Sequence, residues 1–337
     1  MTTHEVSADA VAPVPPRRLA ALLRRGVSSF AGVAALLVLV AVFWALQPQT
    51  FGTVENFKLI FSQAAVAAIL AAGLSVALTA GSFDLSFGAV MAGAGVLAAA
   101  LVANAGLPPA LAILLTVGAG FAAGAVNGAL VAYGTIPSLI ATLGTQSVIV
   151  GVLTWATDGQ PINLPLDSGF DSIAQGTWLG IPHETWIMLV LIAAGTAVSR
   201  WAVVGRNLQA VGRNPSASRL AGISVRGYVL GSLAVTGAFA ACAGILTAAK
   251  ISAGRPEVGA AVLLPTFAAA FLGAAVSRDG TFNMPGALLG ALLLTTITNG
   301  LVIVSAPDWT NDVVTGLVLL CAVGLSRLVR RGAAVGS

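Results

Sequence analysis

Residues Gly205 to Tyr228 read GRNLQAVGRNPSASRLAGISVRGY, an island of charge between two long apolar runs. The stretch holds Arg206, Arg213, Arg219 and Arg226 and no acidic residue. Asn214 has the side chain of a good helix N-cap, and Pro215 suits the first helical position, where its missing N–H costs nothing. Gly222 falls where a left-handed C-cap glycine belongs, and Ile223 after it can fold back on Ala217. The spacing predicts a helix of about two turns over Pro215–Ala221. Isolated helices shorter than ~12 residues are marginal in water, so a short helix with both ends specified rests on a surface. That surface is either the ends of the chain's own apolar helices or a soluble partner docking on the cytoplasmic side. The stretch alone leaves both open.

The flanking runs fix the class. The chain has 337 residues, 57% of them hydrophobic and 8% charged, with a mean hydropathy of +0.95. No soluble domain carries this balance. Apolar runs of about 18 or more residues recur along nearly the whole length, each long enough to cross a hydrocarbon core of ~30 Å. The expected fold is all-α, a polytopic transmembrane helical bundle. Cys242 and Cys321 lie inside apolar runs without C-x-x-C spacing, so they read as small buried hydrophobes, with no disulfide and no metal site. The net charge of +4 does not call for nucleic acid, because the cations sit where topology signals belong.

In chain order, residues 1–26 are polar, proline-dotted and basic at Arg17, Arg18, Arg24 and Arg25, and read as a disordered cytoplasmic tail. Val27–Gln47 is longer than the apolar core of a signal peptide and runs into Trp44, so it is kept as the first span. Further runs at roughly Leu59–Ala80, Leu85–Ala103, Ala110–Tyr133, Leu139–Ala156, Thr185–Val204, Val229–Lys250, Ala260–Val276, Met284–Val304 and Asp312–Leu328 bring the count to about ten. They define a transmembrane domain over 27–328, with a cytoplasmic loop at 205–228 and a cytoplasmic tail at 329–337. With the N-terminus inside, an even count puts the C-terminus and the 205–228 loop inside as well. Inside segments then hold 13 of the 16 Lys and Arg residues, leaving Lys58, Lys250 and Arg255 outside, as the positive-inside rule requires. Trp44, Trp155, Trp186 and Trp309 fall at outer helix ends, and Tyr133, Trp201 and Tyr228 at inner ones.

The longest outer loop, Asp158 to Glu184, has four acidic residues and no cation; its glycines and prolines argue against a folded domain, with a short helix near Asp171–Gln175. Lys58, Lys250 and Arg255 are the only outer cations able to meet acidic groups on a docking protein. Small residues at i, i+4 spacing, Gly120, Gly124 and Gly128 in the fourth span and Gly286 and Gly290 in the ninth, mark faces where helices approach closely. An echo links the same two spans, since Asn127-Gly128 and Asn299-Gly300 both fall late in them.

The most unusual intramembrane feature is Gly81-Ser82-Phe83-Asp84-Leu85-Ser86-Phe87-Gly88. Glycine at each end permits a helix break, and Asp84 or Ser86 can cap the half-helix that follows. A carboxylate near the bilayer is by default a functional-site hypothesis, and an N-cap role competes with it evenly. The expectation is a structural Asp84 at a break lining the central cavity, with Gly81, Phe83, Ser86 and Gly88 around it. Ala260–Val276 is short, has Pro265 within it, and reads as a re-entrant or broken segment. No G-x-x-x-x-G-K-[ST] motif is present, so the chain binds no nucleotide through a P-loop. His4 and His183 lie outside the predicted spans, and Asp84 is almost the only ionisable residue within them. Ion-coupled carriers usually use several. A secondary transporter of a small polar solute is thereby weakened but stays as the alternative, with a passive channel third.

The segments AGSFDLSFGAVMA, IPSLIATLGT, TDGQPI, GRNLQAVGRNPSASRLAGISV and GALLGALLLTTITNGLVIV together resemble the membrane-spanning permease subunit of bacterial ABC importers for simple sugars, of the ribose, xylose and arabinose type. The likeness covers roughly residues 55 to 328. It implies a multi-pass protein of the cell (inner) membrane that performs no covalent chemistry and carries no cofactor. Its implied partners are a second permease copy or a paralogue, two cytoplasmic ATPase subunits that bind the ATP, an extracytoplasmic solute-binding protein and a small sugar. In that family the segment matching Asn214–Ile223 is the coupling helix that docks on the ATPase, which assigns Arg213, Asn214, Pro215, Ala217, Arg219, Leu220 and Gly222 to that contact. Two departures stand out. Relatives often carry two acidic residues where this chain has Pro215 and Ser216, and a serine- and glycine-rich turn where it has residues 276–282.

Overall fold

A computed structural model of the chain describes residues 17–165, 168–277 and 280–334. Helix α1 (Arg17–Leu46) leads to α2 (Val54–Thr79), which breaks and resumes as α3 (Phe87–Ala103), followed by α4 (Pro109–Ala132) and α5 (Ser138–Thr157). The loop after α5 carries β1 (Ile162–Asn163), α6 (Ser172–Gln175), β2 (Thr177–Trp178) and β3 (Ile181–Pro182). Then come α7 (His183–Trp201), α8 (Val203–Arg213), α9 (Pro215–Leu220) and α10 (Val225–Ile251). The chain closes with β4 (Ala253–Gly254), α11 (Val258–Ala261), α12 (Leu263–Ala275), α13 (Met284–Ile303) and α14 (Trp309–Ala334).

Every expected apolar run coincides with a helix or a broken helix pair. Among the described residues, six helical stretches are long and apolar enough to cross a membrane, seven if α7 and α8 are taken together, and three shorter apolar stretches, Gly32–Leu46, Phe87–Ala103 and Trp309–Gly324, accompany them. The chain is therefore a polytopic helical membrane protein. In hydrocarbon no water satisfies a free N–H or C=O, so runs of this length can only close their hydrogen bonds on themselves. The boundaries are written in local chemistry. Thr53 caps α2 by accepting from the Asn56 N–H, Asn283 caps α13 by accepting from the Gly286 N–H at 2.7 Å, and Pro109 and Pro285 sit in first turns where no N–H is missed. The expected break in the eighth run is real: α11 and α12 part at Val262, ahead of Pro265.

Three boundaries differ from expectation. α1 begins at Arg17, so residues 17–26 of the expected tail belong to a helix, while residues 1–16 lie outside the described ones. α14 likewise runs to Ala334, through most of the expected 329–337 tail. A polar segment next to an existing helix gains one backbone bond per residue without a new nucleus, so the helix continues past the apolar stretch. Third, residues 205–213, expected as part of the 205–228 loop, belong to α8, bent 75° away from α7 at Ala202. Its buried Gly205, Leu208 and Val211 lie on one helical face at i, i+3 and i+6, a pattern masked by the arginines around them.

The centre of the bundle is α2 against α10, both rich in fully buried alanine. The glycine faces do what their spacing predicts. A Cβ on Gly124 would lie 2.2 Å from the Leu233 carbonyl oxygen of α10, and one on Gly290 would lie 2.0 Å from that of Ala269 in α12. The Asn-Gly echo belongs to a larger repeat. Val54 and Val225 open α2 and α10, Phe87 and Val258 open α3 and the α11–α12 pair, and Ser138 and Trp309 open α5 and α14, each time 171 residues apart. α4 and α13, the helices of the echo, correspond between them, and α4 packs on α10 as α13 packs on α2. Gly88 and Gly259, at the same spacing, face each other: a Cβ on either would stand 2.3–2.4 Å from the other's carbonyl oxygen.

Candidate functional site

The break between α2 and α3 is a built segment. Gly81 takes φ +80° and closes α2 in a Schellman turn, with its N–H donating to Leu78 O and the Ser82 N–H donating to Ala77 O at 2.9 Å. Asp84 Oδ1 then accepts from the Ser86 N–H at 2.8 Å and from the Ser86 hydroxyl at 2.6 Å. Asn127 of α4 donates its Nδ2 to the same hydroxyl at 2.7 Å. Ser86 occupies the N-cap position of α3 without capping it through its side chain, and the carboxylate of Asp84 holds that residue while also accepting from the Phe87 N–H in the first turn of the helix. The free N–H groups of the extended stretch are met by α5: Phe83 N donates to Ser138 Oγ and Leu85 N to Thr142 Oγ1, both at 3.1 Å. Gly81 and Phe83 are exposed, whereas Asp84, Ser86 and Gly88 are buried. A cavity of about 610 Å³ opens beside the α7–α8 elbow, with Thr79, Arg200, Leu208, Gln209, Phe282 and Asn283 on its wall; Asp84 is not among the residues lining it.

Helix α9 lies at the arginine-rich end of the bundle, held by α8 before it and α10 after it. Asn214 Oδ1 accepts from the Ala217 N–H at 3.0 Å, Pro215 is first in the helix, and Gly222 takes φ +76°. The Ile223 N–H reaches Ser218 O at 2.9 Å and the Gly222 N–H reaches Arg219 O at 3.1 Å, the two bonds of a Schellman end. Only Ser218 is buried within α9; Arg213, Asn214, Pro215, Ala217 and Arg219 are exposed, and Leu220 is 92% exposed. A fully exposed leucine on a rigid, doubly capped turn covers nothing in its own chain.

Lys58, Lys250 and Arg255 are placed less uniformly than the sequence implies. Lys58 stands 4.0 Å from Glu55 and Arg255 3.6 Å from Glu257, both pairs exposed. Lys250 is different. Its Nζ lies 3.1 Å from Glu184 Oε1 and donates to Ser62 Oγ at 2.9 Å, while the Ser62 hydroxyl donates to the same carboxylate oxygen. Glu184 is 3% exposed, so it belongs to the interior of α7 rather than to the acidic loop surface. A buried carboxylate requires a compensating cation, and Lys250 supplies it, tying α10, α7 and α2 together. This claim on Lys250 was not legible, because the partners lie far apart in sequence. The loop itself is anchored by the β1–β4 ladder and by Gln175, whose Nε2 donates to the Ala249 and Lys250 carbonyls at the end of α10. α6 begins at Ser172 with Asp171 as its N-cap, as expected.

A membrane-type helical bundle with an internal repeat, a broken helix held by buried polar groups and a capped, exposed helix at its basic end has the architecture of a membrane permease. The family model described as branched-chain amino acid transport system / permease component matches residues 56–323, and the chain belongs to that family. It is 34% identical over 295 residues to the ribose import permease protein RbsC of Escherichia coli K12, an alignment covering 86% of this chain and 90% of that protein. The ribose import permease protein RbsC of Haemophilus influenzae is 32% identical over 292 residues, with the same coverage. The autoinducer 2 import system permease protein LsrC of Klebsiella pneumoniae is 33% identical over 313 residues, covering 93% of this chain and 89% of the relative. The chain is thus the non-catalytic, multi-pass permease component of a bacterial ABC importer. Such permeases work with ATPase and binding-protein partners and usually need no cofactor of their own.

Proposed function

We propose that this chain is one half of an ATP-driven import pathway for a ribose-type sugar or the related solute autoinducer 2. It crosses the membrane ten times with both termini cytoplasmic, and residues 27–328 form the permease domain. A second copy or a paralogue supplies the other half. ATPase subunits dock on α9 through Ala217 and Leu220, with Arg213 and Arg219 at the rim, and a solute-binding protein docks on the outer face, where Lys58 and Arg255 are cations whose carboxylate partners, Glu55 and Glu257, are themselves exposed. The substrate class rests on the relatives, which import ribose or autoinducer 2.

The observation that carries this reading is the combination at α9 of two specified caps with an apolar side chain left 92% exposed. Buried apolar contacts of this kind dominate interface energetics, and a carboxylate in their place adds a desolvation cost. Leu220→Asp should weaken ATPase binding by about 2 kcal/mol, roughly thirtyfold, without unfolding the bundle. The measurement is co-purification of the ATPase with wild-type and variant chains, followed by D-ribose and autoinducer 2 uptake into proteoliposomes holding the full importer. Uptake by this chain alone, driven by an ion gradient, would replace the reading with a secondary transporter. Undiminished ATPase retention and uptake in Leu220→Asp would remove α9 from the interface.

A further inference from the structure

Gly212, in the last turn of α8 and two positions before the Asn214 cap of α9, packs on the end of α2 just ahead of the α2–α3 break. A Cβ built on Gly212 would lie 1.8 Å from the carbonyl oxygen of Thr79 and 2.9 Å from its carbonyl carbon, both backbone atoms at the end of α2. The contact is reciprocal. From Gly81, the nearest atoms a Cβ would meet are the Cα and O of Gly212, at 3.9 Å. No other residue fits at position 212 without moving α8 off α2, because the obstacle is main chain.

From the definition of α9 outward, the parts are rigid. Asn214 fixes the start of α9. Asn207 of α8 donates its Nδ2 to the Tyr228 hydroxyl of α10 at 2.8 Å, so α8 is also tied to the helix that follows the segment. On the other side of the contact, Gly81 is followed within a few residues by Phe83, Asp84 and Leu85, whose bonds run to α5 and, through Ser86, to α4. Two rigid bodies therefore meet at a pair of glycines, one with φ +80° and no side chain to interlock. Small displacements at such a seam become discrete changes because the packed elements on either side do not deform.

We infer that Gly212 is the positioning residue for coupling: it seats the docking segment directly on the end of α2, so that displacement of α9 by an ATPase is delivered to the Gly81–Ser86 break and not dispersed in the loop. The inference rests on the docking reading above and adds where the displacement goes. A purely structural role makes a different forecast. Alanine is a better helix former than glycine, so Gly212→Ala should not weaken α8 itself; a packing role alone would appear as lowered thermal stability with coupling intact.

The test uses the full importer, permease with its co-purifying ATPase and binding protein, in nanodiscs. Hydrogen exchange of the amides over residues 79–86 is compared with the ATPase nucleotide-free and with ATP and vanadate bound. Wild type should show a nucleotide-dependent change at these amides. Gly212→Ala should retain the ATPase but reduce the response roughly tenfold, within the usual range of coupling free energies, and Gly212→Val should abolish it. Gly231→Ala, in α10 where nothing lies within 4 Å of the new methyl, is the control and should match wild type. A wild-type response in Gly212→Ala with ATPase bound overturns the inference alone. Should both position-212 variants fail to fold, wild type decides, since no nucleotide-dependent change at 79–86 also overturns it. If wild type retains no ATPase, the docking reading fails and this inference falls with it.

Discussion

Among the described residues two carboxylates are buried, Asp84 and Glu184, and they do different work. Glu184 is neutralised by a cation, Lys250, which keeps 37% of its own side chain in water. Removing the two partners is therefore not symmetrical. Lys250→Met leaves the Glu184 charge buried and uncompensated, which costs about 3 kcal/mol, whereas Glu184→Gln leaves a lysine that can turn to solvent and should cost roughly 1 kcal/mol. Thermal unfolding of the detergent-solubilised chain should rank wild type above Glu184→Gln and that above Lys250→Met; the reverse order would mean that Lys250 is not bound to the interior. Asp84 has no cation within reach among the described residues and acts as an acceptor, with Oδ1 taking both the N–H and the hydroxyl of Ser86. Asparagine presents an oxygen in the same position and leucine does not. Asp84→Asn should keep most stability and transport, while Asp84→Leu strands the buried Ser86 N–H and should cost about 2–3 kcal/mol. Equal loss of transport in both, with the fold intact by thermal shift, would show that the charge itself is needed.

At the scale of elements, the capped helix α9 and the small-residue faces were legible in the sequence because both depend on residue type at fixed spacing. Asn214, Pro215 and Gly222 each have one obvious use, and the structure shows each cap bond. α8 was not legible. Its apolar face is three residues wide inside a stretch whose arginines and glycines read as loop. The Glu184–Lys250–Ser62 contact was equally hidden, since long-range pairs leave no periodic trace. The packing of α4 on α10 yields a sharp contrast within one helix. At Gly124 a side chain would meet the Leu233 and Ala234 backbone, and at Gly118 it would meet nothing within 4 Å. Gly124→Val should destabilise by about 3 kcal/mol or more through forced helix separation, whereas Gly118→Val should change stability by under about 1 kcal/mol, since its side chain meets open space and valine is no worse a helix former than glycine. Chemical denaturation in mixed micelles measures both; comparable losses would place the α4–α10 contact elsewhere.

For the whole molecule, the repeat decides how the two ends of the bundle differ. Four apolar helices, α3, α4, α5 and α7, lie between α2 and α10, so in the ten-span arrangement proposed above corresponding helices run in opposite directions and the two halves present opposite ends to each side of the membrane. The sequence carried only a single Asn-Gly echo of this, because the repeat is preserved in helix spacing and packing rather than in residue identity. Symmetry of this kind leaves sidedness undetermined, and charge breaks the tie: Arg200, Arg206, Arg213, Arg219 and Arg226 cluster around α8 and α9, while the loop from Asp158 to Glu184 has no Lys or Arg. One apolar helix, α7, separates that loop from α8 and α9. With Cys242 and Cys321 replaced by alanine, single cysteines at Gln160 and Leu220, both exposed positions, should therefore report opposite sides. A membrane-impermeant maleimide added to intact cells should label Gln160→Cys at once and Leu220→Cys only after permeabilisation. Labelling of both from the same side would remove α7 as a crossing, and with it the ten-span count; labelling in the opposite sense would turn α9 away from any cytoplasmic ATPase, since the positive-inside rule would then be broken by the five arginines nearest the docking segment.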